Sequence, residues 1–262
     1  KIDAHSDFCP WSEIMEFRGT GRKIYDGSEA GVPYLHGVVV RKDLADDYPE
    51  VVQAFIKAVY DAGKWIKEDP IRATDLMEKW TGVEKEVLYI YFSKGGHLSL
   101  DPTIKPAWTE ALKFDHTVLV KEKAIPPLDF GDWITEKYIR AAYKDMGVDY
   151  DKDKAAVVNP VEANAGLPNE IWHARDGIKA YATLPEFLGA IASFRATGAK
   201  INSTYVYDKE TGLKLFGKTA FWVVTPKGEF ATFLRRGEAE KYAGTIDGKV
   251  ITFEDAIGMK SS

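Results

Sequence analysis

The stretch HSDFCPWSE, residues 5–13, places a carboxylate, two aromatic rings and a thiol within five positions, at the expected start of a helix. If Asp7 or Cys9 caps the helix that opens near Pro10, the free amides of its first turn form an anion pocket. Phe8 and Trp11 would then supply an apolar wall or hold an organic tail, because binding sites set a few polar groups among aromatics. The plainer alternative is that both rings are core. Further along, Tyr34 and His36 in PYLHG alternate onto one face of an expected strand, with Leu35 on the other. His36 is a candidate contact by its placement, although a lone histidine more often serves the fold itself.

Cys9 is the single cysteine, which excludes an intrachain disulfide and a cysteine-rich metal cluster. As a nucleophile it would need an activating base and an oxyanion site, and His5 stands too close in sequence to specify a dyad. A buried thiol is the expected role, and no enzymatic activity. In residues 170–262 the candidate metal ligands are His173 and Met259, with Asp176 and Asp208 as the available carboxylates. None of them has the His-x-x-x-His or Cys-x-x-Cys spacing of a metal site, and Asp176-Gly177 and Asp247-Gly248 read as turns. His97 sits in a glycine-bearing connector, SKGGHLSLD. Trp65, Trp80, Trp108 and Trp133 fall at helical positions and read as core.

The elements that must position these residues follow from period and punctuation. Apolar residues recur at helical spacing through PEVVQAFIKAVYDAGKWIKED, with Asp47 as a cap, and Asp69 with Pro70 opens a second helix that Gly82 closes. KPAWTEALKFDHTVLVKEK and GDWITEKYIRAAYKDM read as two more, the latter ended by Gly147. RKIYDG and YLHGVVVRKD read as strands of a mostly parallel sheet. Residues 151–169 lack a period and read as a linker. Beyond it, a hairpin turns at Asp176-Gly177, Thr183 and Glu186 form a capping box, and INSTYVYD, LKLFG, TAFWVVT, EFATFL and KVITF read as strands around a helix, GEAEKYAG. The expected division is 1–150, a linker at 151–169, and a compact α+β unit at 170–262.

With 45% hydrophobic and 29% charged residues the 262-residue chain has the composition of a folded globular protein. A net charge of -5 and the lack of a long basic run argue against nucleic acid or an anionic membrane as partner. No apolar run approaches the roughly 20 residues of a membrane span.

Two resemblances give these elements a setting. KIDAHSDFCPW, followed by RKIYDGSEAGVPYLHGVVVRKDLADDYPEVVQAFIKAVYDAGKWIKEDP, resembles the periplasmic substrate-binding proteins of ABC importers for nitrate, sulfonates, taurine and thiamine precursors, as far as about Asp149. The resemblance implies α/β architecture, the C-terminal portion of a two-lobe periplasmic-binding-protein fold followed by a small α+β domain. It also implies a periplasmic protein with its signal peptide outside this chain, which captures a small anionic or organic solute by lobe closure and delivers it to an ABC transporter permease. Asp7, Phe8, Trp11, Tyr34 and His36 are its expected ligand contacts, no cofactor is expected, and the membrane is met only through the permease. In that family the Ile-Asp-Ala element falls past the middle of the domain. The chain is therefore expected to be a piece of something longer, completed by an upstream polypeptide.

From about Glu170, the pieces DGIKAYATLPEFLGAI, STYVYDKETGLKLFGKTAFWVV and FATFLRRGEAEKYAGTIDGKVITFEDAI resemble the nitrous oxide reductase accessory proteins, which are copper chaperones. This implies an alternative function in metal delivery through the C-terminal domain. Where that family tends to carry Met-Gly or Met-His, this sequence has Thr225, Pro226, Lys227 and Gly228, and cuprous ion prefers soft sulfur ligands.

Overall fold

The structure is a computed structural model and describes residues 3–25, 35–98, 100–157 and 159–260. The fold is mixed α/β with two small antiparallel sheets. The helices are α1 (Trp11–Arg18), α2 (Lys42–Asp47), α3 (Pro49–Glu68), α4 (Pro70–Thr81), α5 (Lys85–Phe92), α6 (Pro106–Lys121), α7 (Phe130–Trp133), α8 (Lys137–Met146), α9 (Tyr150–Ala155) and α10 (Pro160–Ala163). There follow β1 (Asn169–His173), β2 (Gly177–Tyr181), α11 (Leu184–Ala196), β3 (Ile201–Tyr207), β4 (Lys214–Phe216), β5 (Phe221–Val224), β6 (Phe230–Phe233), α12 (Arg236–Thr245), β7 (Lys249–Ile251) and α13 (Phe253–Gly258).

The chain forms two compact units, each discontinuous. One takes in Lys1–Ile24, Ile66–Ser99 and Val158–Ser262, the other Tyr25–Trp65 and Leu100–Val157. One break between the units, at 157/158, falls inside the expected linker 151–169, while segments 1–24 and 66–99 group with the part of the chain that follows it. The reason lies in the four-stranded sheet, ordered β2-β1-β3-β4. Successive residues of its strands point to opposite faces, and both faces are apolar. Ile171, Val206 and Leu215 join α11 and α13 in one core, while Trp172, Tyr205 and Phe216 join Ile14 of α1 and Val87, Tyr89, Ile90 and Tyr91 of α5 in another. Residues 1–24 and 66–99 thus cover a face that residues 170–262 cannot cover themselves. Across that layer the buried Tyr205 hydroxyl donates to the Glu86 carbonyl at 2.8 Å, and Asn202 Nδ2 donates to Glu86 Oε1 at 3.0 Å. A second sheet, β6-β5-β7, packs Val223 and Phe233 on Ala239 and Ala243 of α12.

The other unit is helical, with no strand among its described residues. Its core is Ile139, Tyr143 and Tyr150, with Ile56, Tyr60 and Ile104 packed around them. Arg140 stacks 4.7 Å over the Tyr150 ring and grips Asp151 with both guanidinium nitrogens, at 2.8 and 3.1 Å. No described residue of α6 is buried.

Several expectations need correction. Residues 22–25 and 35–41 of the two expected first-half strands form no strand, because no neighbouring strand is present among the described residues to take up their main-chain groups. The observed sheets are antiparallel and lie wholly within 169–251. The linker holds two short helices, α9 capped by Asp149 and α10 capped by Asn159. GDWITEKYIRAAYKDM divides into α7 and α8 because Ile134 is extended, and Asp47 ends α2 instead of capping α3. Trp80 is 75% exposed and Trp133 46%, so neither is core.

Candidate functional site

α1 is the element that presents the predicted contacts. It begins at Trp11 with Pro10 as its N-cap and has no side-chain cap, so neither Asp7 nor Cys9 plays the expected capping role. The Trp11 amide donates instead to the Phe8 carbonyl at 3.2 Å. Glu13, buried in the first turn, already answers the helix's positive end, which weakens the expected anion pocket. Asp7 accepts from the Phe8 amide at 2.8 Å and lies 2.9 Å from His5 Nε2, and these two bonds hold its carboxyl below the usual range. Phe8 is 60% exposed and Trp11 49%, so the alternative reading of both as core fails. His36 is exposed on the other unit, and Tyr34 lies outside the described residues. Cys9 is half-buried against the α1–α5 core.

Behind α1 the structure assembles polar groups that sequence reasoning did not bring together. Glu13 Oε1 pairs with Lys23 Nζ at 2.7 Å and its Oε2 accepts from the Ser12 hydroxyl at 2.8 Å. Burial alone would raise this carboxyl, but Lys23 outweighs it and draws it down to about 2. Glu16, which accepts from the Lys23 amide at 3.2 Å, is raised by burial. Glu13, Glu16, Lys23 and His97 share a cavity of about 20 Å³ with the apolar side chains of Ile90, Phe216 and Leu234, room for about one water molecule. The Tyr91 hydroxyl is buried, and burial and the neighbouring Glu13 carboxylate raise its pKa.

His97 is not a mere connector residue. Its Nε2 lies 2.6 Å from the Lys214 carbonyl, so Nε2 carries the proton, and burial keeps the ring neutral by lowering its pKa. Lys214, at the start of β4, is fully buried. Its ammonium donates to Ser93 Oγ at 2.7 Å and Glu170 Oε2 at 2.6 Å, with the Tyr89 ring 4.7 Å away, while Tyr89 donates to Glu170 Oε1 at 3.0 Å. Burial lowers the Lys214 pKa, and Glu170 opposes that shift. Lys214 is paired with Glu170, and the arrangement joins loop 93–97, β1 and β4. The available signal was a lysine inside the short strand LKLFG, which requires a carboxylate if that strand is buried.

His173 is buried on β1, and its Nδ1 accepts from the amides of Arg175 and Asp176 at 3.3 and 3.1 Å. The ring thus closes the β1–β2 turn. Met259 follows α13 and is exposed. Among the described residues no group of three or more His, Cys, Asp or Glu side chains is arranged to hold a metal ion. No helix among them is long and apolar enough to cross a membrane. Comparison with protein-family models, curated proteins and solved structures gives no match to this chain.

Proposed function

We propose that the chain acts in the capture of a small anionic or organic solute, as part of a periplasmic substrate-binding component of an ABC importer. The observation that supports this reading is the exposure of the Phe8 and Trp11 rings on one short stretch of surface, where a core role would have buried both. In this reading the chain carries the later part of a two-lobe binding fold, which an upstream polypeptide completes, and residues 170–262 form an accessory region. Ligand works by favouring a closed state for which it has greater affinity, and no bond is made or broken. The permease is the partner that receives the solute.

No observation favours the alternative of metal delivery. His173 is engaged by its own turn, and the sulfur of Met259 stands without a neighbouring ligand set among the described residues. The test is calorimetric titration of the full-length protein with nitrate, taurine, a linear alkanesulfonate and an aminopyrimidine. One of the four should bind, and Phe8→Ala and Trp11→Ala should each weaken it about tenfold or more. Unchanged binding in both variants, or no binding of any of the four, would remove the reading.

A further inference from the structure

Residues 122–133 turn back from the end of α6 and lead into α7. The helix itself closes the turn: the Lys123 amide donates to the Val120 carbonyl and the Ala124 amide to the Leu119 carbonyl, each at 2.9 Å, with Lys123 at φ 57°. The chain then runs Ile125-Pro126-Pro127-Leu128, and its two prolines have no amide to give. Asp129 caps α7 through the Gly131 amide and the Ile134 amide closes on the Phe130 carbonyl, so neither bond reaches outside the segment and its helix. Among the described residues one hydrogen bond ties positions 125–133 to another part of the chain: the Leu128 amide donates to Nε2 of His116, on α6, at 2.9 Å. Phe130 meets the same imidazole at right angles, with ring centroids 5.2 Å apart. Burial does little to reinforce this hold, since no described residue of α6 is buried and Leu128 is 43% exposed.

We propose that His116 is a proton-sensitive pin, which holds residues 125–133 against α6 while the ring is neutral and releases them when it takes up a proton. A ring nitrogen that accepts an amide hydrogen carries none of its own, so the neutral ring keeps its single proton on Nδ1. A second proton can enter only at Nε2, where it faces the Leu128 N–H, donor against donor. The strap then loses its one outside bond. The charged groups around the ring do not offset this. On α6, Lys113 stands one turn earlier and is paired with Glu110 at 2.8 Å, and Asp115 is the preceding residue; on the returning segment, Asp129 has its Oδ1 committed to the Gly131 amide. Among the described residues no carboxylate forms an ion pair with the imidazole. Imidazole changes charge between about pH 5 and pH 8, so the segment is held above that window and freed below it. Release loosens α7 as a whole, because Phe130 and Trp133 pack on each other at 6.0 Å within that one short helix.

This device goes beyond solute capture and stands or falls separately from it. Long-range proton–nitrogen spectra of the full chain at about pH 8 should show His116 with Nδ1 protonated and Nε2 bare. Protection of the Leu128 amide, measured as its exchange rate against that of an unfolded peptide at the same pH, should fall about tenfold between about pH 8 and about pH 5. His116→Gln supplies an acceptor oxygen that does not titrate, and should keep the protection at both pH values. His116→Phe keeps a ring but removes the acceptor, and should leave Leu128 as unprotected at the higher pH as the native chain is at the lower. Circular dichroism checks that both variants fold, and the two measurements on the native chain need neither of them. A proton on Nε2 at about pH 8 overturns the proposal, and so does protection of Leu128 that is the same at both pH values. A pH dependence that survives His116→Gln, or full protection in a folded His116→Phe, overturns it too.

Discussion

Lys214 and Glu170 show how much depends on matched charge inside the larger unit. Lys214→Ala would leave a carboxylate and a serine hydroxyl buried without their ammonium, and should cost about 3–5 kcal/mol in urea denaturation. Lys214→Met fills the space but still strands Glu170, so only the double change with Glu170→Gln should recover most of the loss. Glu13 gives a pH signature. Its folded carboxyl titrates at about 2 against an ordinary 4.5, so its contribution is complete above about pH 5 and is lost as pH falls through 2. The stability of the native protein should therefore fall by on the order of 3 kcal/mol over that window, and Glu13→Gln should flatten the dependence. An unchanged acid limb in Glu13→Gln would show that Lys23 does not hold the carboxylate in solution.

At the scale of elements, local chemistry decides where helices begin and end. Thr183 accepts from the Glu186 amide, and Glu186 returns the bond to the Thr183 amide, the capping box legible in the sequence. Thr183→Ala should lower the midpoint of unfolding by an amount worth about 1 kcal/mol. Gly95 carries φ +73°, and a Cβ there would meet Leu167, Tyr207 and Asn164. Gly95→Ala should accordingly cost more than about 1 kcal/mol and displace the loop that delivers His97, a change visible in its imidazole resonances. Such signals lie within a few residues of one another, which is why the Asp69-Pro70-Gly82 helix, the β1–β2 hairpin and the capping box could all be read directly. α5 could not. KEVLYIYF is rich in β-formers and becomes helical because six successive residues are buried between α4, α1 and the sheet, and that tertiary setting overrides propensity. The run LHGVVVR shows the reverse case, strand-like in composition but without a neighbour among the described residues. Of the expected contacts, the exposed Asp7, Phe8 and Trp11 were legible as a local cluster. The Glu13–Lys23 and Lys214–Glu170 pairs were not, because they depend on how distant segments meet.

For the molecule as a whole, the two units differ in how much core they possess. The smaller has a cluster of three buried side chains, Ile139, Tyr143 and Tyr150, and α6 buries none of its described residues, whereas β3 lies between two cores. Amides of α6 should exchange with solvent at least about a hundredfold faster than those of β3, and equal rates would contradict this difference in burial. The bonds from Tyr205 to Glu86 and from Lys214 to Ser93 join residues 119 and 121 positions apart. Their consequence belongs to synthesis. As the chain leaves the ribosome, α5 can pack on α4 and α1, but the side that faces the sheet has no partner until more than a hundred further residues have been made. Apolar side chains such as Val87, Ile90 and Tyr91 must wait in the open, and closing so long a loop is slow. A gene cut between α9 and α10 would then yield two products that each expose one side of the same interior, and only co-expression of both pieces should restore a soluble protein.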